Sequence, residues 1–377
     1  MLKTLEISSQ CLQVTEMNPQ TDPRWESFVV GHPNGSIYHH PLWVEALERE
    51  YGQKGVYLSC VDAAGQVLAI LPLLYTRGLP FNWGGAVAGR RLSSLPRTPI
   101  AGPLSIDPRA TVAVLQEAVR RVSQKPGTRL QIKTQRTELD GLVDGLVCTP
   151  WRLSYVLQLT DGAEEPFRIG RSHHRRGIKS NINKAEKLGV HVRAAETEAD
   201  LRIWHMLYAD TMRRNFVPPR PYRFFAVLWE LMHPREMMQL LLAEQERAGR
   251  KKILAGSIYL RFGRTVTYAF NGSSFDDLLL RPNDAIFWHA LNAAHRQGFQ
   301  SFDFGEVAEG NSELASYKCK WGSTPVRLYR YYYPAFRDLE SGYFESGGFL
   351  QSLGAAVWSR LPLKATTWLG DRIYRYL

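Results

Sequence analysis

Three stretches of the chain hold residue types that can do chemistry. Arg171 to Lys187 reads RSHHRRGIKSNINKAEK, and its only acid is Glu186. With Ile178 to Lys187 helical, Arg176, Lys179 and Asn183 fall within two turns of one another. Arg offers forked hydrogen bonds and Lys a point charge, a combination suited to diphosphate oxygens. Arg175, Arg176 and Lys179 are therefore expected to bind an anionic substrate, with a solvated inter-domain helix as the alternative. The second stretch is His39-His40-Pro41-Leu42-Trp43. A histidine before a helix can serve as a general base, and more often it is a hydrogen-bonded structural residue. His40 and Trp43 are assigned to substrate binding, Trp43 as a pocket wall or core anchor. The third stretch, Ser301 to Gly322, reads SFDFGEVAEGNSELASYKCKWG. Asp303 lies within an apolar strand, so its carboxylate is either paired or functional. Gly305 follows near the strand end, where ligands of open α/β sheets bind. Lys318 and Lys320 then stand among Tyr317 and Trp321. Tyr268 and Asn271, at the end of a strand-like TVTYAF run and the start of the NGSS loop, complete the substrate-binding set.

These residues need elements to position them, and one order of elements occurs in both halves. Pro41 to Tyr51 reads as a helix, VYLSCV and QVLAILPLLY as a hairpin, TVAVLQEAVRRVSQ as a second helix and TRLQIK as a strand. In the second half Thr197 and Asp200 form a helix-start signature before LRIWHMLYADTMRRN. MMQLLLAEQ and KILAGSIYLRF make a hairpin, TVTYAF a further strand, DAIFWHALNAAHRQ a helix ending at Gly298, and FQSFDFG the closing strand. Helices mixed with hairpins predict an α/β (α+β) fold, a mixed sheet flanked by helices in each half. The boundary is expected between about Thr160 and Gly189, which is polar and basic.

Composition bounds the class. The chain has 377 residues, 44% hydrophobic and 22% charged, which suits two globular domains. No apolar run reaches the roughly 18–20 residues of a membrane span. The first residues lack the apolar core of a secretory signal, so a cytoplasmic location is expected. Cys11, Cys60, Cys148 and Cys319 lie far apart, without metal-ligand spacing or a disulfide pattern. A net charge of +11 favours polyanionic partners or a plain basic surface. The phosphate loop GxxxxGK[ST], HExxH and GxSxG are all missing. So is a good copy of the Gly-rich loop that holds the coenzyme A pyrophosphate; the stretch Asn82 to Gly89 has the wrong spacing. Beyond Pro334, large apolar residues alternate with Arg360, Lys364, Arg372 and Arg375, a pattern for an amphipathic tail packed on the body or for peripheral contact at the inner face of the cytoplasmic membrane.

The basic segment with Arg175, Arg176, Lys179 and AEKLGV, together with Phe302-Asp303-Phe304-Gly305 and Tyr317-Lys318-x-x-Trp321-Gly322, resembles the FemABX-like branch of the GNAT acetyltransferase superfamily. HHPLWVEALEREYG and AILPLLY look like that branch's N-terminal domain, and the resemblance spans roughly residues 20–335. It implies two tandem GNAT-like domains, each a mixed, mostly antiparallel sheet flanked by helices. The first is 1–160, a basic connecting segment is 161–189, the second domain is 190–335, and 336–377 is the tail. The family's best-known members transfer amino acids from aminoacyl-tRNA to the stem peptide of lipid- or nucleotide-linked cell-wall precursors, and others are known only as acyltransferases, some lying beside exopolysaccharide genes. The implied activity is acyl or aminoacyl transfer to an amine. The donor would be acyl-CoA, acyl-carrier protein or aminoacyl-tRNA, with no tightly bound cofactor and no metal. From the chemistry of amide formation, Asp303 or Glu306 is expected to accept the amine proton or orient the amine, with Lys318 or a backbone N–H at the acyl oxygen. The rivals are an N-acyltransferase acting on a small amine and a non-catalytic polyanion-binding module.

Overall fold

Local caps set the helices of this chain. The structure is a computed structural model and describes residues 12–78, 89–159, 172–247, 249–335, 358, 361–374 and 376. The Gly-rich stretch at 82–88 and the tail residues Arg360 and Arg375 lie outside the described residues. Strand β1 (Gln13–Glu16) leads to α1 (Pro23–Gly31), whose start is capped by Asp22 accepting from the Arg24 N–H. Helix α2 (Pro41–Tyr51) begins with His40 accepting from the Leu42 N–H and ends at Gly52 in the left-handed conformation. The hairpin β2 (Val56–Val61) and β3 (Val67–Thr76) follows, then β4 (Arg91–Ser93), β5 (Leu104–Ser105), α3 (Pro108–Ser123) and β6 (Arg129–Thr134). Strand β7 (Val147–Gln158) completes the first half.

The second half opens with the basic helix α4 (Ser172–Lys187) and β8 (Val190–Ala194). Helix α5 (Glu198–Arg214) starts in a capping box: Thr197 accepts from the Asp200 N–H while Asp200 accepts from the Thr197 N–H. Then come α6 (Tyr222–Met232), β9 (Met238–Arg247), β10 (Arg250–Phe262) and β11 (Thr265–Ser273). Helix α7 (Pro282–Arg296), β12 (Ser301–Val307), α8 (Ser312–Lys320), β13 (Thr324–Tyr333) and α9 (Leu363–Ile373) end the chain.

The two halves share one sheet of thirteen strands in the order β1-β2-β3-β4-β6-β13-β7-β12-β11-β10-β9-β8, with β5 beside β3. Pairing is antiparallel except between β4 and β6 and between β11 and β12. The sheet is continuous from one half to the other. Strand β7, from the first half, pairs with β12, and β13, from the other end of the chain, lies between β6 and β7.

Side chains alternate across this sheet, so each face has its own cover. Over the first half, α3 packs Val114, Leu115 and Ala118 on Leu58, Leu71, Leu130 and Ile132. Over the second, α4 and α7 cover Tyr155, Leu157, Tyr259, Val266, Phe302 and Phe304. A third cluster joins the halves: Trp25, Trp43 and Leu47 of α1 and α2 pack with Trp204, Phe224, Phe225 and Leu228 of α5 and α6. The buried ion pair Arg220–Glu50, at 3.2 Å, fixes the same boundary. Among the described residues no helix is long and apolar enough to cross a membrane.

Candidate functional site

The site begins where two parallel strands part. β11 and β12 pair only at Thr265–Ser301, Val266–Phe302 and Thr267–Asp303. Beyond that point both strands continue without pairing to each other, to Ser273 and Val307. Gly305 takes a positive φ of 75° at the fork, and a Cβ there would lie 3.3 Å from the Tyr268 carbonyl oxygen. A glycine thus lets β12 turn away while staying close to β11. The gap between the two backbones beyond Thr267 and Asp303 is where an extended ligand could lie.

Asp303 stands at the last paired position. Its Oδ1 accepts from Ser154 Oγ at 2.8 Å and from the Gly305 N–H at 2.7 Å, which leaves Oδ2 for a ligand. Burial pushes its carboxyl above the ordinary range, and the two hydrogen bonds offset part of that push. The side chain borders a cavity of about 630 Å³. Thr267, Val156 and Val326 line its floor, and Tyr38, His39 and Lys133 come from the first half. Burial raises the Tyr38 hydroxyl above its ordinary value, and the nearby Asp303 and Glu306 carboxylates add to that.

Lys318 approaches the strand end from α8. It is 3% exposed, and its Nζ donates to the Gly305 carbonyl at 2.9 Å and the Glu306 carbonyl at 3.2 Å. Burial brings its ammonium down to about 8, against the pull of the Asp303 and Glu306 carboxylates. Two of its three hydrogens are used, so one remains for a developing oxyanion. Glu306 pairs with Arg152 at 3.4 Å.

The structure brings Asp303, Glu306 and Lys318 together. Tyr268 lies at the fork with its ring on Phe287, 4.7 Å between centroids, and Asn271 on the same strand accepts from Ser257 Oγ at 3.1 Å. Lys320 is held by Asp284 at 2.6 Å, tying α8 to the first turn of α7. His40 and Trp43 lie in the helical core: His40 caps α2 and contacts Glu26, and Trp43 donates its indole N–H to Thr98. Arg175, Arg176 and Lys179 are exposed on α4, whose Ile178, Ile182 and Ala185 pack in the cluster with α7. That cluster is on the face of the sheet opposite the Asp303 cavity. Sequence reasoning did not single out Tyr38, Lys133, Ser154 or Arg330. Lys133 and Arg330 carried a signal, a cation inside the runs RLQIKT and RLYRYYY.

Residues 172–318 match the family described as "Acetyltransferase (GNAT) domain". The match therefore contains α4, the fork, Asp303 and Lys318. No curated protein matches the sequence. Among solved structures the chain is similar in fold to FemX, at 15% identity and a TM-score of 0.63, over 88% of this chain and all of that one. It is also similar to the C-terminal domain of a putative lysylphosphatidylglycerol synthetase from Agrobacterium fabrum, at 13% identity and a TM-score of 0.55, covering 90% and 97%. A tandem GNAT protein from the clavulanic acid biosynthesis pathway gives 10% identity and a TM-score of 0.50, covering 85% and 98%. The forked pair of parallel strands, the domain match and the shared fold lead to one conclusion: residues 172–318 match a GNAT acetyltransferase domain, and the chain has the fold of two GNAT-like units.

Proposed function

We propose that the chain transfers an acyl or aminoacyl group to an amine of a cell-envelope or polysaccharide precursor that carries phosphate. One observation carries the reading: a carboxylate raised by burial, Asp303, borders a cavity at the fork while the Lys318 ammonium stands by the same strand end. An amine in the cavity attacks the acyl carbon of a donor lying in the fork. Its proton passes to Asp303 Oδ2, and the raised carboxyl is the better base for it. Lys318 donates its remaining hydrogen to the acyl oxygen as negative charge develops there. Collapse of the tetrahedral adduct forms the amide and expels the donor's thiol or ribose hydroxyl, which takes up a proton. The GNAT domain match supports acyl-CoA as donor, and the sequence resemblance to the FemABX-like branch keeps aminoacyl-tRNA as the second candidate.

Donor consumption tests the reading, with acetyl-CoA and charged tRNA offered separately against an amine-bearing, phosphate-containing envelope precursor. Amide formation with either donor, lost in Asp303→Asn, is expected. Wild-type protein that forms no amide with either donor, or an Asp303→Asn variant that turns over at the wild-type rate, defeats it.

A further inference from the structure

Away from the fork, on the same face of the sheet, the central strands bury Lys133 and Arg330 with no carboxylate hydrogen-bonded to either among the described residues. Lys133 of β6 and Arg330 of β13 are direct antiparallel partners. Lys133 is 2% exposed and donates to the Leu95 carbonyl, a neutral group. Arg330 lies over the Trp151 ring at 3.9 Å, and its buried Nε has no hydrogen-bond partner among the described residues. The indole N–H of Trp151 is also buried and without a partner there. Arg152 stands beside the same ring and is paired to Glu306. Among the described residues the Glu306 carboxylate acts on both Lys133 and Arg330, and Arg91 acts against both. Burial and this repulsion lower both cations, Arg330 to about 10.

Uncompensated buried cations are costly, and two orphaned donors beside them add to the cost. An anion with several acceptor oxygens removes both penalties at once. Lys133 lines the Asp303 cavity and Arg330 is its cross-strand partner, so an anion at Lys133 reaches it from that cavity.

We propose that Arg330, Lys133 and the Trp151 indole N–H form a phosphate- or diphosphate-binding site on the central strands, which holds the anionic part of the acceptor. This deepens the proposed reaction and depends on it only for what bears the phosphate. It also moves the anion site from exposed α4 to the cavity face.

Calorimetric titration of the full chain with inorganic pyrophosphate, with sulfate at matched ionic strength as control, tests the site without any turnover. Pyrophosphate is expected to bind more tightly than sulfate, and Arg330→Met and Lys133→Met are each expected to weaken it about tenfold or more. Removing an unpaired buried charge should leave the melting temperature of unliganded Arg330→Met unchanged or higher, which shows that it folds. Uridine diphosphate and farnesyl diphosphate then distinguish a nucleotide-linked from a lipid-linked bearer, and preference for either supports the site. Pyrophosphate binding no tighter than sulfate, or equally tight in both variants, overturns it. Because binding is read without donor, intact diphosphate binding in a protein that shows no transfer defeats only the transfer reading.

Discussion

Lys318 and Lys320 look equivalent in YKCKWG, yet they have different tasks. Lys318 turns inward to the Gly305 and Glu306 carbonyls, while Lys320 holds Asp284 of α7 and lies 4.0 Å from the Tyr317 ring centre. Lys318→Met is expected to lower kcat about 10²–10³-fold with the melting temperature little changed. Lys320→Met should do the reverse, costing roughly 1–3 kcal/mol of stability because it strands the buried Asp284 carboxylate. Steady-state kinetics and thermal unfolding of both variants separate the tasks. The pH profile follows from the same residues. Asp303 must be ionised, so activity rises with pH through a carboxyl value above the ordinary one. Lys318 must be protonated, so activity falls as pH rises through about 8. Lys318→Arg should move the alkaline limb upward, and an unmoved limb assigns it to another group. The sequence showed that Asp303 is a carboxylate in an apolar strand. It did not show that the bonds to Ser154 and Gly305 hold one oxygen and leave the other, because Ser154 reaches it from β7, far away in the chain.

Elements with local signals were legible. The helix at Pro41 to Tyr51, the capping box at Thr197, both hairpins and the helix ending near Gly298 all stand as read, since each is fixed by residues within a few positions. Helix α6 escaped although Phe224, Leu228 and Leu231 recur at helical spacing, because no side-chain cap marks its start; it packs against α2 and α5. Strands β7 and β13 escaped for the opposite reason: their partners are remote, and no turn joins them. Thr197→Ala should cost about 1 kcal/mol in chemical denaturation. Gly305→Ala meets both a positive φ and the Tyr268 carbonyl, so the fork must distort. It should raise KM for the donor while leaving pyrophosphate binding at Arg330 intact.

At the scale of the whole molecule, the halves are joined by charge as well as by packing. Glu50 of α2 and Arg220 before α6 are both buried, and Arg220 also lies over the Phe224 ring at 4.0 Å. Glu50→Gln alone should cost about 3–5 kcal/mol, because it leaves Arg220 uncompensated. Glu50→Leu combined with Arg220→Met should recover most of that in the same denaturation experiment. The duplicated order of elements was readable, but the way the duplicates interlock was not, since strand exchange leaves no mark in composition or spacing.

The central position of β13 bears on how the protein is made. The edge of β6 stays open until a strand encoded near the other end of the chain leaves the ribosome and fills it. A nascent first half therefore waits with an unsatisfied ladder, a state prone to sticking to other chains. Shared strands also forbid the two units from opening like a book, so cargo has to slip in along the grooves between loops rather than through a swinging jaw.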